Sequence, residues 1–248
     1  MFTELRVTKH QKIRFHIITL FPEVFAGYLR ASIIGRAIAG KKLAVLLYNP
    51  RDFTKDKHAR VDRRPYGGGP GMVLEALPVV KAVEAALKRA SARKTRKITG
   101  SVSRDTLLPS KPKANILFLS PSGRQFTSAD AQKLAEGGND IVIIAGHYEG
   151  VDARIIKILK AKVVSIGPYV LTGGELPAMT IIDAVARHIS GVLGKEESLE
   201  ENRIASSEVY TRPEVLEWKG KKYRVPKVLL SGDHKRIEDW KKGKQTKA

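Results

Sequence analysis

The chain contains no cysteine. That excludes disulfides and thiolate metal sites, and it suits a reducing cytoplasm. No apolar run approaches the ~20 residues that a membrane-spanning helix needs. The start, Met1 to Lys12, is polar and lacks the apolar core of a secretory signal. Acidic side chains are scarce, with 25 Asp and Glu against 45 Lys and Arg, a formal net charge of +20. Such an excess attracts polyanions, and counterion release makes nucleic acid the natural partner. A solvated lysine-rich surface without a specific ligand is the plainer alternative. Membrane-surface binding is disfavoured, because no helical pattern pairs a basic face with bulky apolar anchors. The familiar nucleotide fingerprints are also missing: no G-x-G-x-x-G follows a strand, and no G-x-x-x-x-G-K-[ST] occurs. The six histidines are scattered without ligand spacing, which disfavours a zinc site.

What is present is enough apolar material for a full core. With 248 residues, 42% of them hydrophobic, the chain fits one large domain or one domain with an appendage. Strand and helix patterns alternate, which predicts an α/β fold with a mostly parallel sheet. Strands are expected at 13–20, 43–48, 116–119, 141–145 and 163–166. Helices are expected at 24–39, closed by Gly40, at 77–92, and from a Thr127 or Ser128 cap to Glu136, where Gly137-Gly138 ends the helix. Another should span 176–189, with Leu176, Met179, Ile182, Ala186 and Ile189 as its apolar stripe. Residues 49–72 read as a long polar loop, a length that tends to be functional or disordered. Residues 91–113 read as a flexible basic insertion, 195–208 as an acidic linker, and 210–248 as a short tail rich in lysine.

Three glycine-bearing loops stand out: Tyr66-Gly67-Gly68-Gly69-Pro70-Gly71-Met72, Gly146-His147-Tyr148-Glu149-Gly150, and Ser165-Ile166-Gly167-Pro168-Tyr169-Val170-Leu171-Thr172-Gly173-Gly174-Glu175-Leu176-Pro177-Ala178-Met179. Each alone reads as a turn. The last two follow buried strands, where ligands of α/β proteins usually sit. With Leu119 to Gly123 they can converge on one pocket. Its backbone amides and carbonyls would suit a purine edge, and Ile166, Leu171 and Pro177 would wall its faces.

The chain resembles the bacterial tRNA (guanine-N1)-methyltransferases of the TrmD family, in the SPOUT class. The resemblance rests on Ile17-Ile18-Thr19-Leu20-Phe21-Pro22-Glu23, Pro50-Arg51-Asp52-Phe53-Thr54, Arg64-Pro65-Tyr66 to Met72, Leu119-Ser120-Pro121, Tyr148-Glu149-Gly150-Val151-Asp152, the long glycine loop, Tyr210-Thr211-Arg212-Pro213, and Pro226 to Gly232 with His234. It covers nearly the whole chain from Arg14 onward, in the family's order.

The resemblance implies a cytoplasmic homodimer with a deep C-terminal trefoil knot. It implies methyl transfer from S-adenosylmethionine to N1 of guanosine 37 in tRNA, beside the anticodon. It divides the chain into a knotted cofactor-binding domain (1–194), a linker (195–209) and a short, truncated helical tRNA-binding extension (210–248). The implied cofactor pocket comprises Leu119, Ser120, Pro121, Gly146, Tyr148, Glu149, Ile166, Gly167, Tyr169, Leu171, Gly173, Gly174 and Pro177. Substrate contacts fall to Asp62, Tyr66, Gly67, Gly68, Gly69, Pro70, Gly71 and His234. Arg187 is the implied guanidinium that stabilises charge on guanine O6. The plainer reading of Arg187 is an i,i+4 surface pair with Asp183.

Four departures from the family pattern matter. Where the family places an aspartate base, this chain has Asn202, whose amide takes up no proton at neutral pH. Glu201, or Glu200, is then the expected base, and Asn202 a guanine holder; a solvated acidic linker is the competing reading. His147 stands where arginine is usual, and Pro168 where aspartate is usual. The chain also stops soon after Trp240, where family members continue with further helices; the tail 241–244 and the basic stretch 92–96 are expected to grip phosphates instead. The resemblance also implies magnesium, which family members use, with Glu149 and the linker carboxylates as candidate holders of a hydrated ion; no dedicated metal site is expected. Two other functions compete: a knotted RNA methyltransferase with a shifted target, and a homologue that retains cofactor and RNA but has lost catalysis.

Overall fold

The computed structural model describes residues 13–98, 114–193 and 208–244. The chain divides into two compact units, Met1–Val192 and Leu193–Ala248. In the first, β1 (Ile13–Ile18), β2 (Leu43–Tyr48), β5 (Asn115–Gln125), β6 (Ile141–Ile144) and β7 (Lys162–Ser165) form a five-stranded sheet in the order β2-β1-β6-β5-β7. Every pair in it is parallel.

Side-chain alternation along these strands builds two cores, one on each face of the sheet. Phe15, Ile17, Leu117, Leu119, Ile141, Ile143 and Val164 point to one face. There they meet α1 (Phe25–Arg30), α2 (Ser32–Ala39), α4 (Ser128–Glu136) and α6 (Glu175–Arg187). Ile18, Phe118, Val142 and Ile144 point to the other face, under α3 (Ala76–Ile98) and α5 (Arg154–Leu159). Burying each such Ile, Leu or Phe contributes about 1.5–3 kcal/mol.

Polar residues interrupt β1 for a reason. His16 is fully buried; its Nδ1 lies 2.9 Å from the Tyr48 hydroxyl and its Nε2 3.3 Å from Asp140 Oδ2. Arg14 Nε donates to the same carboxylate at 3.0 Å, and its Nη2 reaches the carbonyls of Arg89 and Ala90. Burial pushes the Asp140 pKa upward, but the bonds from His16 and Arg14 outweigh it and hold the carboxyl below its ordinary value. The network clips β1 both to the strand beside it and to α3.

Several elements differ from their sequence reading. The expected helix at 24–39 is split into a 3-10 turn (Pro22–Val24), α1 and α2. Ala31 is extended and Ser32 adopts φ 48°. The break brings the Arg30 carbonyl so close that a Cβ on Gly35 would lie 2.3 Å from its oxygen. The 49–72 loop contains a 3-10 turn (Pro50–Phe53), and β3 (Asp62–Arg63) pairs antiparallel with β4 (Val73–Leu74). α3 continues to Ile98, into the segment read as a flexible insertion; Ala, Lys and Arg there are strong helix formers. β5 runs through the Ser120–Gly123 turn, with a register shift between Leu119 and Arg124. α5 was not expected; its six residues are too few to show a helical period. In α6 the buried stripe is Ala178, Ile181, Ile182, Val185 and Ala186, whereas Leu176 is 58% exposed. The expected α4 cap holds, as a reciprocal capping box between Thr127 and Asp130.

In the second unit β8 (Val215–Trp218) and β9 (Lys221–Arg224) form an antiparallel hairpin, followed by α7 (Lys227–Leu230) and α8 (His234–Gly243). Asp233 caps α8 by accepting from Arg236 N at 3.1 Å, and Trp240 packs against Tyr210. None of this unit's described residues is fully buried.

Candidate active site

The turn within β5 and the loops that leave the carboxyl ends of β6 and β7 enclose a cleft of ≈ 270 Å³. β5 lies between β6 and β7 in the sheet, yet the chain after β7 passes across to the end of β6. There Gly174 N–H donates to the Gly146 carbonyl at 2.8 Å, and Gly173 forms a bridge with His147. The approach requires glycine: a Cβ on Gly174 would lie 2.6 Å from Ala145 Cα. The Ser120–Gly123 turn is held by the same kind of contact, because a Cβ on Gly123 would lie 2.6 Å from the Val164 backbone.

Of the residues expected to hold a cofactor, Leu119, Ser120, Pro121, Gly146, Tyr148, Glu149, Ile166, Tyr169, Leu171, Gly173, Gly174 and Pro177 all line the cleft. Gly167 does not. It sits behind the wall, where Ser165 Oγ donates to its carbonyl at 2.8 Å and the Tyr169 ring packs over its α-carbon. The cleft also takes in His147, Val170 and Thr172, which the motif reading left out of the site. Their position between motif residues was the available signal.

The middle loop is under tension. Tyr148 adopts φ 60°, a region unusual for a non-glycine residue. It is tied on both sides: Glu149 N–H donates to the Met72 carbonyl at 3.0 Å and Gly150 N–H to the His147 carbonyl at 3.2 Å. The first of these bonds brings the Tyr66–Met72 loop to the cleft. Gly71, at φ 80°, lies so close to Glu149 that a Cβ would meet its side chain at 2.5 Å. Leu74 continues the junction, donating to the Gly150 carbonyl at 3.0 Å and accepting from Asp152 N at 2.9 Å. Gly67, Gly68 and Gly69, all with positive φ, have open space around them. Tyr66 is fully exposed, and Pro70 shares that exposed arc. Asp62 stands on β3, at the base of the loop.

A buried polar group supports the cleft floor. Glu175, the first residue of α6, is 6% exposed and accepts from Thr19 Oγ1 at 2.8 Å. Its second oxygen lies 3.7 Å from His147 Nδ1, a buried nitrogen without a hydrogen-bond partner. Phe21 and Tyr148 flank the His147 ring.

The catalytic candidates are not gathered here. Pro177 touches the cleft, but Arg187 follows ten residues later on the same helix, about 15 Å along its axis. Asp183 accepts a hydrogen bond from the Tyr28 hydroxyl, whose pKa burial and that carboxylate raise to about 12. Glu200, Glu201 and Asn202 lie outside the described residues, as does most of the linker. His234 opens α8 in the second unit. Among the described residues no group of three or more His, Cys, Asp or Glu could hold a metal ion. Nor is any helix there long and apolar enough to cross a membrane.

The cleft offers apolar walls from Leu119, Ile166, Leu171 and Pro177 beside the backbone groups of Gly146, Gly173 and Gly174. Apolar walls beside backbone hydrogen-bonding groups suit a purine.

A family model described as tRNA (Guanine-1)-methyltransferase TrmD matches residues 13–248. The tRNA (guanine-N(1)-)-methyltransferase of Pseudoalteromonas atlantica is 41% identical over 231 residues, covering 92% of this chain and 78% of its own length. That of Colwellia psychrerythraea is 44% identical over 230 residues, covering 91% of this chain and 84% of its own. Among solved structures, the tRNA (m1G37) methyltransferase from Aquifex aeolicus superposes with a TM-score of 0.69 at 34% identity, covering 94% of this chain and 88% of that one.

Proposed function

Because the chain belongs to the TrmD family of tRNA (guanine-1)-methyltransferases, we propose that it transfers a methyl group from S-adenosylmethionine to N1 of guanosine 37 in tRNA. The observation that carries this reading is the junction of the three strand-end loops, where Gly174 meets Gly146 across the sheet order. We read the crossing of the 166–174 segment past β5 as the threaded part of a trefoil knot.

When bound in the cleft, S-adenosylmethionine supplies a sulfonium-activated methyl group. Leu119, Ile166, Leu171 and Pro177 would clamp its adenine, with the Gly173 backbone offering hydrogen-bond partners. N1 of guanine carries a proton at neutral pH, so a carboxylate must remove it, and Glu201 is the proposed base. Asn202 would hold the base edge, and the Arg187 guanidinium would stabilise the charge that develops on O6. The Tyr66–Met72 loop, pinned to Glu149, would close over guanine and fix its distance from the methyl group.

Arg187 sits far along α6 from the cleft of its own chain, which favours a homodimer with each site shared between protomers. Leu176, an apolar residue outside the cleft lining, supports the same reading, since it is 58% exposed. We read 1–194 as the catalytic body and 210–248 as an extension that binds tRNA in the cytoplasm. Magnesium, if used, would be held by Glu149 and linker carboxylates.

Methyl incorporation into tRNA transcripts with guanosine or another base at position 37 tests the target. Incorporation that persists after replacement refutes it and favours a shifted target. Glu201→Gln and Glu200→Gln beside the parent test the base: loss in Glu201→Gln alone supports the assignment. A parent that binds S-adenosylmethionine and tRNA without turnover would mean that catalysis has been lost.

A further inference from the structure

The β8–β9 hairpin presents a face that its own fold does not use. In its register Leu216 stands opposite Tyr223, and Trp218 opposite Lys221. Directly opposed residues share a face, as do residues two apart on one strand. Leu216, Trp218, Lys221 and Tyr223 therefore form one continuous side. Leu216 is 56%, Trp218 63% and Tyr223 53% exposed. Three large apolar side chains in the open on one small ribbon mark an interaction surface.

Charge identifies the partner. Lys221 stands on this face and Lys219 in the turn at its end, whereas Lys222 and Arg224 lie on the opposite face, where Glu217 is paired with Lys222 at 2.9 Å. Lys219 Nζ sits over one face of the Trp218 ring, 5.9 Å from its centre, and the ring stays largely exposed. The turn fixes this display: Lys219 and Gly220 have φ 49° and 73°, the two positive values of a type I′ hairpin turn. Flat aromatic rings set among cations are the chemistry that holds unpaired nucleotides, by stacking on the bases and neutralising the phosphates.

We propose that the Leu216–Trp218–Tyr223 face of the hairpin is a stacking surface for unpaired bases of the RNA substrate, with Lys219 and Lys221 on the adjoining phosphates. The inference rests on the tRNA methyltransferase reading and adds the surface on which the second unit meets the RNA.

The test uses the full chain with Trp218→Ala, Tyr223→Ala, Trp218→Phe and Lys221→Ala, all at exposed positions, with circular dichroism to check that each variant keeps the parent's fold. Unmodified tRNA transcript is the probe. Trp218→Ala and Tyr223→Ala should each weaken binding at least about fivefold, raising the tRNA KM with kcat unchanged, and Trp218→Phe should bind within about twofold of the parent. Because no charge is lost, the salt dependence of Trp218→Ala should keep the parent's slope, whereas Lys221→Ala should lower it by about one unit. Adding tRNA should quench the emission that distinguishes the parent from Trp218→Ala. Parent-like tRNA binding by both alanine variants overturns the inference, even if the parent methylates tRNA normally. So does loss of binding to anionic phospholipid vesicles with tRNA binding intact, which would assign the face to a membrane surface. A parent that transfers no methyl group, but loses tRNA affinity in these variants, overturns the enzymatic reading and supports the stacking surface.

Discussion

Single residues at the cleft govern whether it exists. Gly174 precedes α6 as its N-cap and lies against the Ala145 backbone, so Gly174→Ala forces rigid main chain apart rather than a flexible side chain. Such overpacking costs about 1–3 kcal/mol. The expected outcome is a lower urea midpoint together with weakened S-adenosylmethionine binding by calorimetry; a variant with parent-like affinity would refute the tight junction. Arg187 belongs to another class, since it is remote from the cleft of its own chain. Arg187→Ala should lower kcat by about 10²–10³ with little change in tRNA KM. An equal fall in affinity instead would assign it to RNA binding. Motif reading found the glycines because only their backbone freedom permits these approaches. It missed His147 as a cleft residue, because the Glu175 carboxylate beside it comes from a helix 28 positions away in the chain.

At the scale of elements, the Arg14–His16–Asp140 network fastens β1 to its neighbour and to α3. Asp140→Ala would leave two basic groups facing a buried void, a loss of about 3 kcal/mol, readable as a shift in chemical denaturation. The pH dependence follows from the lowered Asp140 pKa. A carboxyl depressed in the folded state stabilises above its unfolded value of about 3.9 and ceases to as pH falls through the lower folded value. The parent should therefore lose stability as pH drops below about 4, and Asp140→Asn should show a shallower loss over that window. Identical pH profiles would remove Asp140 from the account of acid stability. Strands were legible in the sequence, since runs such as Ile141–Ile144 are apolar on both faces. The split between α1 and α2 was not, because one hydrophobic period runs through both and only the contact of Gly35 with Arg30 reveals the break.

For the whole molecule, the homodimer we propose is testable at the exposed Leu176. Leu176→Asp puts a charge there, at a position that does not itself line the cleft. The expected result is a monomer by sedimentation or light scattering, with methyl transfer lost. A dimeric, active variant would exclude this face from the interface.

Alone, the sequence determined the alternation of parallel strands and helices, the cysteine-free basic character, the family, and most of the cleft residues. Those properties are local: hydrophobic period, glycine placement and composition act over a few neighbouring residues. The tertiary structure decided which loops meet, that the chain after β7 reaches past β5 to β6, that Leu176 faces outward, and that α6 carries Arg187 away from the cleft. These depend on strand order and helix rotation, which are set by the packing of two cores against one sheet, and no local pattern encodes them.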